Sequence, residues 1–179
     1  SGTCRTRLPI GTKVRPIQTE NVIILGNPPF IGQYTKTAAQ KAEAKAIWGA
    51  RYNGYLDYVT SWYAKTIDYF GETSGRWAFV STNSISQGEP VEFLWRPILN
   101  AGWRCRFAHR SFQWQTEAPG GAGVHVSIIG FDRATSPRPM LWTYPEGGKG
   151  KPTGGPVTRI NPALHERGCS WGLKPPASS

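Results

Sequence analysis

The apolar run Val22-Ile23-Ile24-Leu25-Gly26 ends abruptly in Asn27-Pro28-Pro29-Phe30, and no other stretch constrains the chain as much. A short, uncharged, largely β-branched run favours a fully buried strand. Two successive prolines cannot extend a sheet ladder, because they carry no N–H, and they restrict the backbone of the residues before them. The strand therefore stops at a rigid edge bearing one amide side chain, carbonyls without ladder partners and an aromatic ring. Such an edge suits a flat molecule carrying an amino group. A proline-rich strand exit in which Asn27 merely caps a turn is the plainer alternative.

The segments C-terminal to this edge set the fold class. Residues 35–48 are rich in Ala, Lys, Glu and Gln, which predicts a solvated helix closed by Gly49. Across residues 55–70, Leu56, Val59, Tyr63, Ile67 and Phe70 recur at spacings of three and four, which predicts a helix with one apolar stripe ending at Gly71. Residues 76–82 predict a second buried strand ending in the polar run Ser81-Thr82-Asn83-Ser84. Pro90 suits the first position of a helix over 90–99, with Pro97 kinking its last turn and Gly102 closing it.

Residues 104–109 alternate basic and apolar, a strand with an exposed basic face, and residues 124–131 form a fourth strand. Beyond Arg133 the chain is rich in Pro and Gly, no periodic element is expected, and 147–155 reads as a low-complexity loop. This order describes an α/β fold: a mixed sheet with parallel strands that ends in an antiparallel hairpin. Functional groups in such sheets collect at the carboxyl ends of strands, where Asn27 and Asn83 both lie.

Bulk properties narrow the partner. A chain of 179 residues is long enough for one domain with its own core. The formal net charge of +10 points to a polyanion, nucleic acid before membrane, although charge alone leaves an ordinary basic domain as an equal reading. Cys4, Cys105 and Cys169 are scattered and odd in number, which fits a reducing, cytoplasmic setting and neither a disulfide framework nor a cysteine metal site. No apolar stretch approaches the ~20 residues of a membrane span.

The chemistry available at the edge is specific. An aromatic amine such as that of adenine is a poor nucleophile, because its lone pair is delocalised into the ring. Acceptors on its two hydrogens, here the Asn27 amide oxygen and the Pro28 carbonyl, would localise that lone pair on nitrogen, a form of electrostatic preorganisation. Pro28 and Pro29 hold both acceptors still, and Phe30 can stack on the base with roughly 1–3 kcal/mol. A base in duplex DNA must first be flipped out of the stack.

These residues give the chain a clear resemblance. The segment Leu25-Gly26-Asn27-Pro28-Pro29-Phe30-Ile31-Gly32 is followed by Leu56-Asp57-Tyr58-Val59 with Trp62-Tyr63, then by residues 78–85 and Gln87-Gly88-Glu89. Phe107-Ala108-His109-Arg110 with Phe112 and Trp114, Val124-His125-Val126 and Ile128-Ile129-Gly130-Phe131 continue the series, and Ile160-Asn161-Pro162 is a faint last trace. In this order and spacing the chain resembles adenine-specific DNA methyltransferases, in particular the MmeI-like branch found in large restriction–modification proteins. The tetrapeptide alone is moderately specific and the ordered set highly so.

The resemblance implies a partial Rossmann-like, S-adenosylmethionine-dependent methyltransferase fold. It implies direct transfer of a methyl group to the amine of a flipped adenine in double-stranded DNA, without a metal or a covalent enzyme intermediate. Asn27, Pro28, Pro29 and Phe30 would form the catalytic edge. The loop from His109 to Trp114 corresponds to the region of a second aromatic contact, with Phe112 and Trp114 as candidates, and Arg110 and Asn83 as further base or DNA contacts. It also implies a division into an irregular basic lead-in (1–20), the catalytic half of a methyltransferase domain (21–133) and a Pro/Gly-rich extension (134–179).

The family's glycine-rich cofactor loop precedes its Asn-Pro-Pro-Phe motif, and only 26 residues precede Asn27 here, so an N-terminal part of a longer parent is expected to supply it and the cofactor-binding residues stay unassigned. Gly120, Gly121 and Gly123 precede a strand instead of coming after one, and Gly150-Lys151 is followed by Pro152, so neither reads as a phosphate loop. His109, His125 and His165 lack partners at metal-ligand spacing. Arg104, Arg106 and Arg110 suit a DNA backbone and a solvated strand face about equally. Two other functions remain open: methylation of a protein glutamine amide, which asks for the same acceptors, and a truncated, inactive remnant that only binds DNA.

Overall fold

A computed structural model describes residues 22–114, 123–134, 136–145, 148 and 150–166. Six strands form one mixed sheet. They are β1 (Ile23–Gly26), β2 (Arg76–Thr82), β3 (Arg104–Trp114), β4 (Val124–Asp132), β5 (Met140–Thr143) and β6 (Thr153–Pro156), ordered β1-β2-β4-β3-β5-β6. β1 runs parallel to β2, and β3 runs parallel to β5; β4 is antiparallel to both β2 and β3, and β6 is antiparallel to β5. The α/β class and the β3–β4 hairpin match the sequence expectation.

Three helices join the strands: α1 (Ala38–Trp48), α2 (Thr60–Phe70) and α3 (Pro90–Asn100). α1 starts from a capping box in which the Thr37 hydroxyl accepts the Gln40 N–H while the Gln40 side chain accepts the Thr37 N–H. α2 begins five residues later than the apolar stripe predicts. The N–H of Tyr55 is already satisfied by the Asn53 side chain, and that of Tyr58 by the Ile31 carbonyl, so residues 55–58 serve a loop contact instead of a helix.

One face of the sheet carries the core. Trp77 on β2 stacks on Phe131 of β4 with ring centroids 4.1 Å apart, and Tyr63 of α2 meets both edge-on. Trp95 of α3 also packs on Phe131. Such pairs add about 0.5–1.5 kcal/mol each beyond the area they bury. The α2 and α3 C-termini are tied together by Arg133. Its guanidinium lies 4.2 Å from the Trp103 ring and donates to the carbonyls of Gly71, Thr73 and Ala101.

Two expectations need correction. β1 is not buried on both faces: Ile24 is 8% exposed toward the helices, but Ile23 and Leu25 on the other face are 48% and 62% exposed. Among the described residues β1 is an edge strand, so an apolar composition that reads as two-sided burial is covered on one side only. The region beyond Arg133 is not without elements either, since β5 and β6 extend the sheet from it. Both are four residues long, and Thr153-Gly154-Gly155-Pro156 shows no alternation; pairing with a neighbouring strand, not its own pattern, makes it a strand.

Candidate active site at the strand ends

The chain leaves β1 flush against β2. A Cβ on Gly26 would sit 3.2 Å from the Phe79 ring, so glycine lets the strand end approach its neighbour closely. Beyond it, Asn27 is exposed, Pro28 buried, Pro29 exposed and Phe30 half-buried. The Pro29 carbonyl accepts the Ile31 N–H at 3.2 Å, which turns the chain. Among the described residues, neither the Asn27 amide nor the Pro28 carbonyl has a hydrogen-bond partner, and the Phe30 ring pairs with no other ring. Two acceptors and one aromatic ring are thus held by a stiff backbone without a hydrogen-bond or ring partner among the described residues.

The loop after Phe30 is clipped to the segment before α2 in three places. The Tyr58 N–H donates to the Ile31 carbonyl at 2.9 Å, and the Lys36 ammonium, buried, donates to the Leu56 carbonyl at 2.5 Å. The Gln33 N–H donates to the Asp57 carboxylate at 2.7 Å. Burial pulls the Lys36 ammonium below its ordinary value, while the charge of Asp57 opposes that shift. Nearby, the Tyr58 hydroxyl donates to Glu43, and burial first, then that carboxylate, push it up to about 12.

The end of β2 lies beside this loop. Asn83 opens a short 3-10 turn, Asn83–Ser86, and its carbonyl accepts the Ser86 hydroxyl at 3.0 Å. Ser81 is fully buried, with its hydroxyl 2.8 Å from that of Tyr63, so it serves the core rather than the site.

Phe112 and Trp114 lie at the same end of the sheet, on β3: the segment from His109 to Trp114 is not the expected loop, because pairing with residues 124–126 of β4 carries the strand on to Trp114. Three strand spacings, about 14 Å, separate β3 from β1. Phe112 stacks on Tyr144 at 4.5 Å, and His109 stacks on Trp142 at 4.6 Å while its Nδ1 lies 3.1 Å from the Tyr144 hydroxyl. Trp114 meets Phe112 at 6.2 Å and remains 37% exposed. Burial lowers the His109 imidazole below its ordinary 6.5 and raises the Tyr144 phenol.

The basic residues of β3 are largely engaged. Arg104 and Arg106 both pair with Asp132 and donate to the Pro137 carbonyl, so the basic face predicted for this strand is substantially an ion-pair cluster. Arg110 lies 2.6 Å from His165 Nε2, in a turn where Asn161 Oδ1 accepts the His165 N–H. Ile160 and Leu164 of the same turn enter the core, which ties the faint Ile160-Asn161-Pro162 trace to the body of the fold.

Some expectations fall outside the described residues: Cys4, Cys169, Gly120 and Gly121. Cys105 is a free, buried thiol, and burial pushes it far up, which makes it a packing residue. Among the described residues there is no group of three or more His, Cys, Asp or Glu arranged to hold a metal, and no helix is long and apolar enough to cross a membrane. The site residue that sequence reasoning missed is Asp57. The sequence places it, like Asp68, on the helix with nothing to pair it as a general acid or base; the structure sets it before α2, and its proximity to Gln33 and Ser84 comes from folding, not from spacing.

Comparison with known proteins supplies the context. The family described as MmeI, DNA-methyltransferase domain, matches residues 6–143. DNA methyltransferase A of Bacillus subtilis (strain 168) is 39% identical over 122 residues, which cover 67% of this chain and 14% of that protein. The structure of the Type IIL restriction–modification enzyme MmeI in complex with DNA superposes with a TM-score of 0.75 at 42% identity, covering 80% of this chain and 19% of that one. The chain thus spans well under a quarter of the length of the relatives it matches.

Proposed function

The chain belongs to the MmeI DNA-methyltransferase domain family, and from that premise we propose that it carries the target-amine side of an adenine-specific DNA methyltransferase acting in restriction–modification or phage defence. The observation that carries this reading is the pair of acceptors at Asn27 and Pro28 without described hydrogen-bond partners, beside the unstacked ring of Phe30. Phe30 takes the face of a flipped adenine, and the two acceptors take the two amine hydrogens.

With both N–H bonds directed at acceptors, the nitrogen lone pair turns out of the ring conjugation and becomes available for attack. S-adenosylmethionine supplies an activated methyl group when bound. Transfer would form the N–C bond as the methyl's bond to the sulfonium sulfur breaks, the electron pair staying on sulfur as the thioether product leaves. The Asn27 and Pro28 oxygens would stabilise the positive charge growing on nitrogen more strongly than they do the neutral amine. One amine proton then leaves to water. The acceptor set suits an amine of this kind, and none of the described residues is assigned to the donor.

Trp114, with its exposed ring, is the better placed of the two aromatic candidates for a second contact, because Phe112 is already stacked on Tyr144. Arg110 and Asn83 are proposed as contacts to DNA at the same end of the sheet, and the net charge of +10 favours duplex DNA as the partner in a cytoplasmic setting. Asn27→Ala in the full-length enzyme tests the reading. Adenine methylation of DNA, followed with a labelled methyl donor, should fall about 100- to 1,000-fold while the protein stays folded. Retained methylation would refute the assignment of Asn27.

A further inference from the structure

We propose that Asp57 is the positioning residue of this site, a single carboxylate that fixes the Asn27–Phe30 loop and the end of β2 to one another. The inference rests on the reading of that loop as the amine-binding edge.

Asp57 is 8% exposed, lies just before α2 and forms no ion pair with any described residue. A buried carboxylate without a cation in contact must be held by hydrogen bonds. Its Oδ1 accepts the Gln33 N–H at 2.7 Å. Its Oδ2 accepts the Ser84 hydroxyl at 2.5 Å, with the Thr82 hydroxyl 3.3 Å away. The Thr82 and Ser84 hydroxyls are themselves 2.8 Å apart. Each hydroxyl has one hydrogen, so Ser84 donates to the carboxylate and Thr82 donates either to the carboxylate or to Ser84.

The two oxygens thus serve two different strand ends. The other clips on the loop, from Tyr58 and Lys36, reach only the segment before α2. Among the described residues, Asp57 alone hydrogen-bonds to both the loop after Phe30 and the turn that opens at Asn83. Charge-assisted bonds of this kind are short and directional, which suits a part whose task is placement. The Asp57 backbone adds to the anchorage, since its carbonyl accepts both the N–H and the hydroxyl of Thr60 at the start of α2.

Three variants of the full-length enzyme decide the matter. Asp57→Ala leaves the Gln33 N–H and two hydroxyls without their acceptor, and kcat for adenine methylation should fall by about 100-fold, the effect of a displacement near 1 Å, with KM for S-adenosylmethionine unchanged. Asp57→Asn keeps an acceptor for Gln33, and the Ser84 hydroxyl can rotate to accept from the new amide, so kcat should return close to wild type. The double variant Thr82→Val/Ser84→Ala removes both hydroxyl donors at the end of β2 and leaves the Gln33 bond, and it should lower kcat by about tenfold, which keeps the test available should the alanine variant at 57 not fold.

Unchanged kcat in Asp57→Ala or in Thr82→Val/Ser84→Ala overturns the proposal. So does an Asp57→Asn enzyme as inactive as Asp57→Ala, or a loss fully accounted for by the unfolded fraction in a melting curve. Asn27→Ala measured in parallel separates the two readings. Activity retained there refutes the amine edge itself, whereas an inactive Asn27→Ala beside a fully active Asp57→Ala refutes only the role of Asp57.

Discussion

At the β1 end of the sheet, Asn27 and Phe30 have no described side-chain partner, whereas at the β3–β5 end His109, Phe112, Trp142 and Tyr144 are all paired with one another. Both regions hold aromatic and polar groups at the carboxyl ends of strands. The first keeps its groups available by fixing the backbone, with two prolines and the Asp57 clip, and leaving the side chains unmatched. The second fixes its side chains on each other. A group that is to meet a ligand is best held from behind, and stacking two rings together commits both.

The sharpest way to break this contrast is Asn27→Ala, for which the 100- to 1,000-fold loss of methylation should come without a change in melting temperature, because the exposed side chain has no hydrogen-bond or ion-pair partner among the described residues. A fall in stability of the size seen for core residues would place Asn27 on the packed side of the comparison. Phe30→Ala and Phe112→Ala form the next test. Loss of a base-stacking ring of roughly 1–3 kcal/mol predicts about a 10- to 100-fold fall in kcat/KM for Phe30→Ala. Phe112→Ala should instead cost stability, about 2 kcal/mol by chemical denaturation, less than a fully buried ring because Phe112 is half-buried. Equal effects of the two on catalysis would erase the distinction.

The smallest effect is a pH dependence. Burial lowers the His109 imidazole below 6.5, so the folded state binds its proton less readily than the unfolded chain does. The contribution is fully present above about pH 6.5 and is lost as the pH falls through the unfolded value toward the folded one. Denaturation at about pH 7.5 and 5.5 should show a loss in the wild type that is reduced in His109→Gln. An identical slope in both would mean that this ring is solvated, not packed.

Much of this arrangement could be read in advance. β2 and the helix opening at Pro90 match their patterns closely, because β2 carries a continuous apolar run, the helix an apolar face, and both a clear end signal. The Asn27–Phe30 edge was legible because prolines act locally, whatever the rest of the fold does. The start of α2 was not, since Tyr58 spends its N–H on Ile31, a contact between segments distant in sequence. β6 was invisible for a related reason: Thr153-Gly154-Gly155-Pro156 has no pattern of its own, and β5 defines it. Arg133 read as the end of the ordered pattern, yet its three backbone acceptors make it a tie between two helix ends. Asp57 shows the same limit within the site, where a carboxylate inside an apolar helix-like stripe gives no hint of the loop and strand end it holds.

The strand order also has a consequence for biosynthesis. β4 lies between β2 and β3 although it is made after both, so Trp77 leaves the ribosome long before Phe131, the ring it stacks on. Until Asp132 has emerged, β2 has only short β1 as a strand neighbour among those described, and Arg104 waits for the same residue. Long-range pairing of this kind is slow to form and exposes apolar surface meanwhile. A ribosome that stalls upstream of β4 would therefore release a chain in which the Asn27–Phe30 edge and its Asp57 clip are already synthesised but β2 lacks the strand that pairs its other side, a species for the cell's chaperones and proteases.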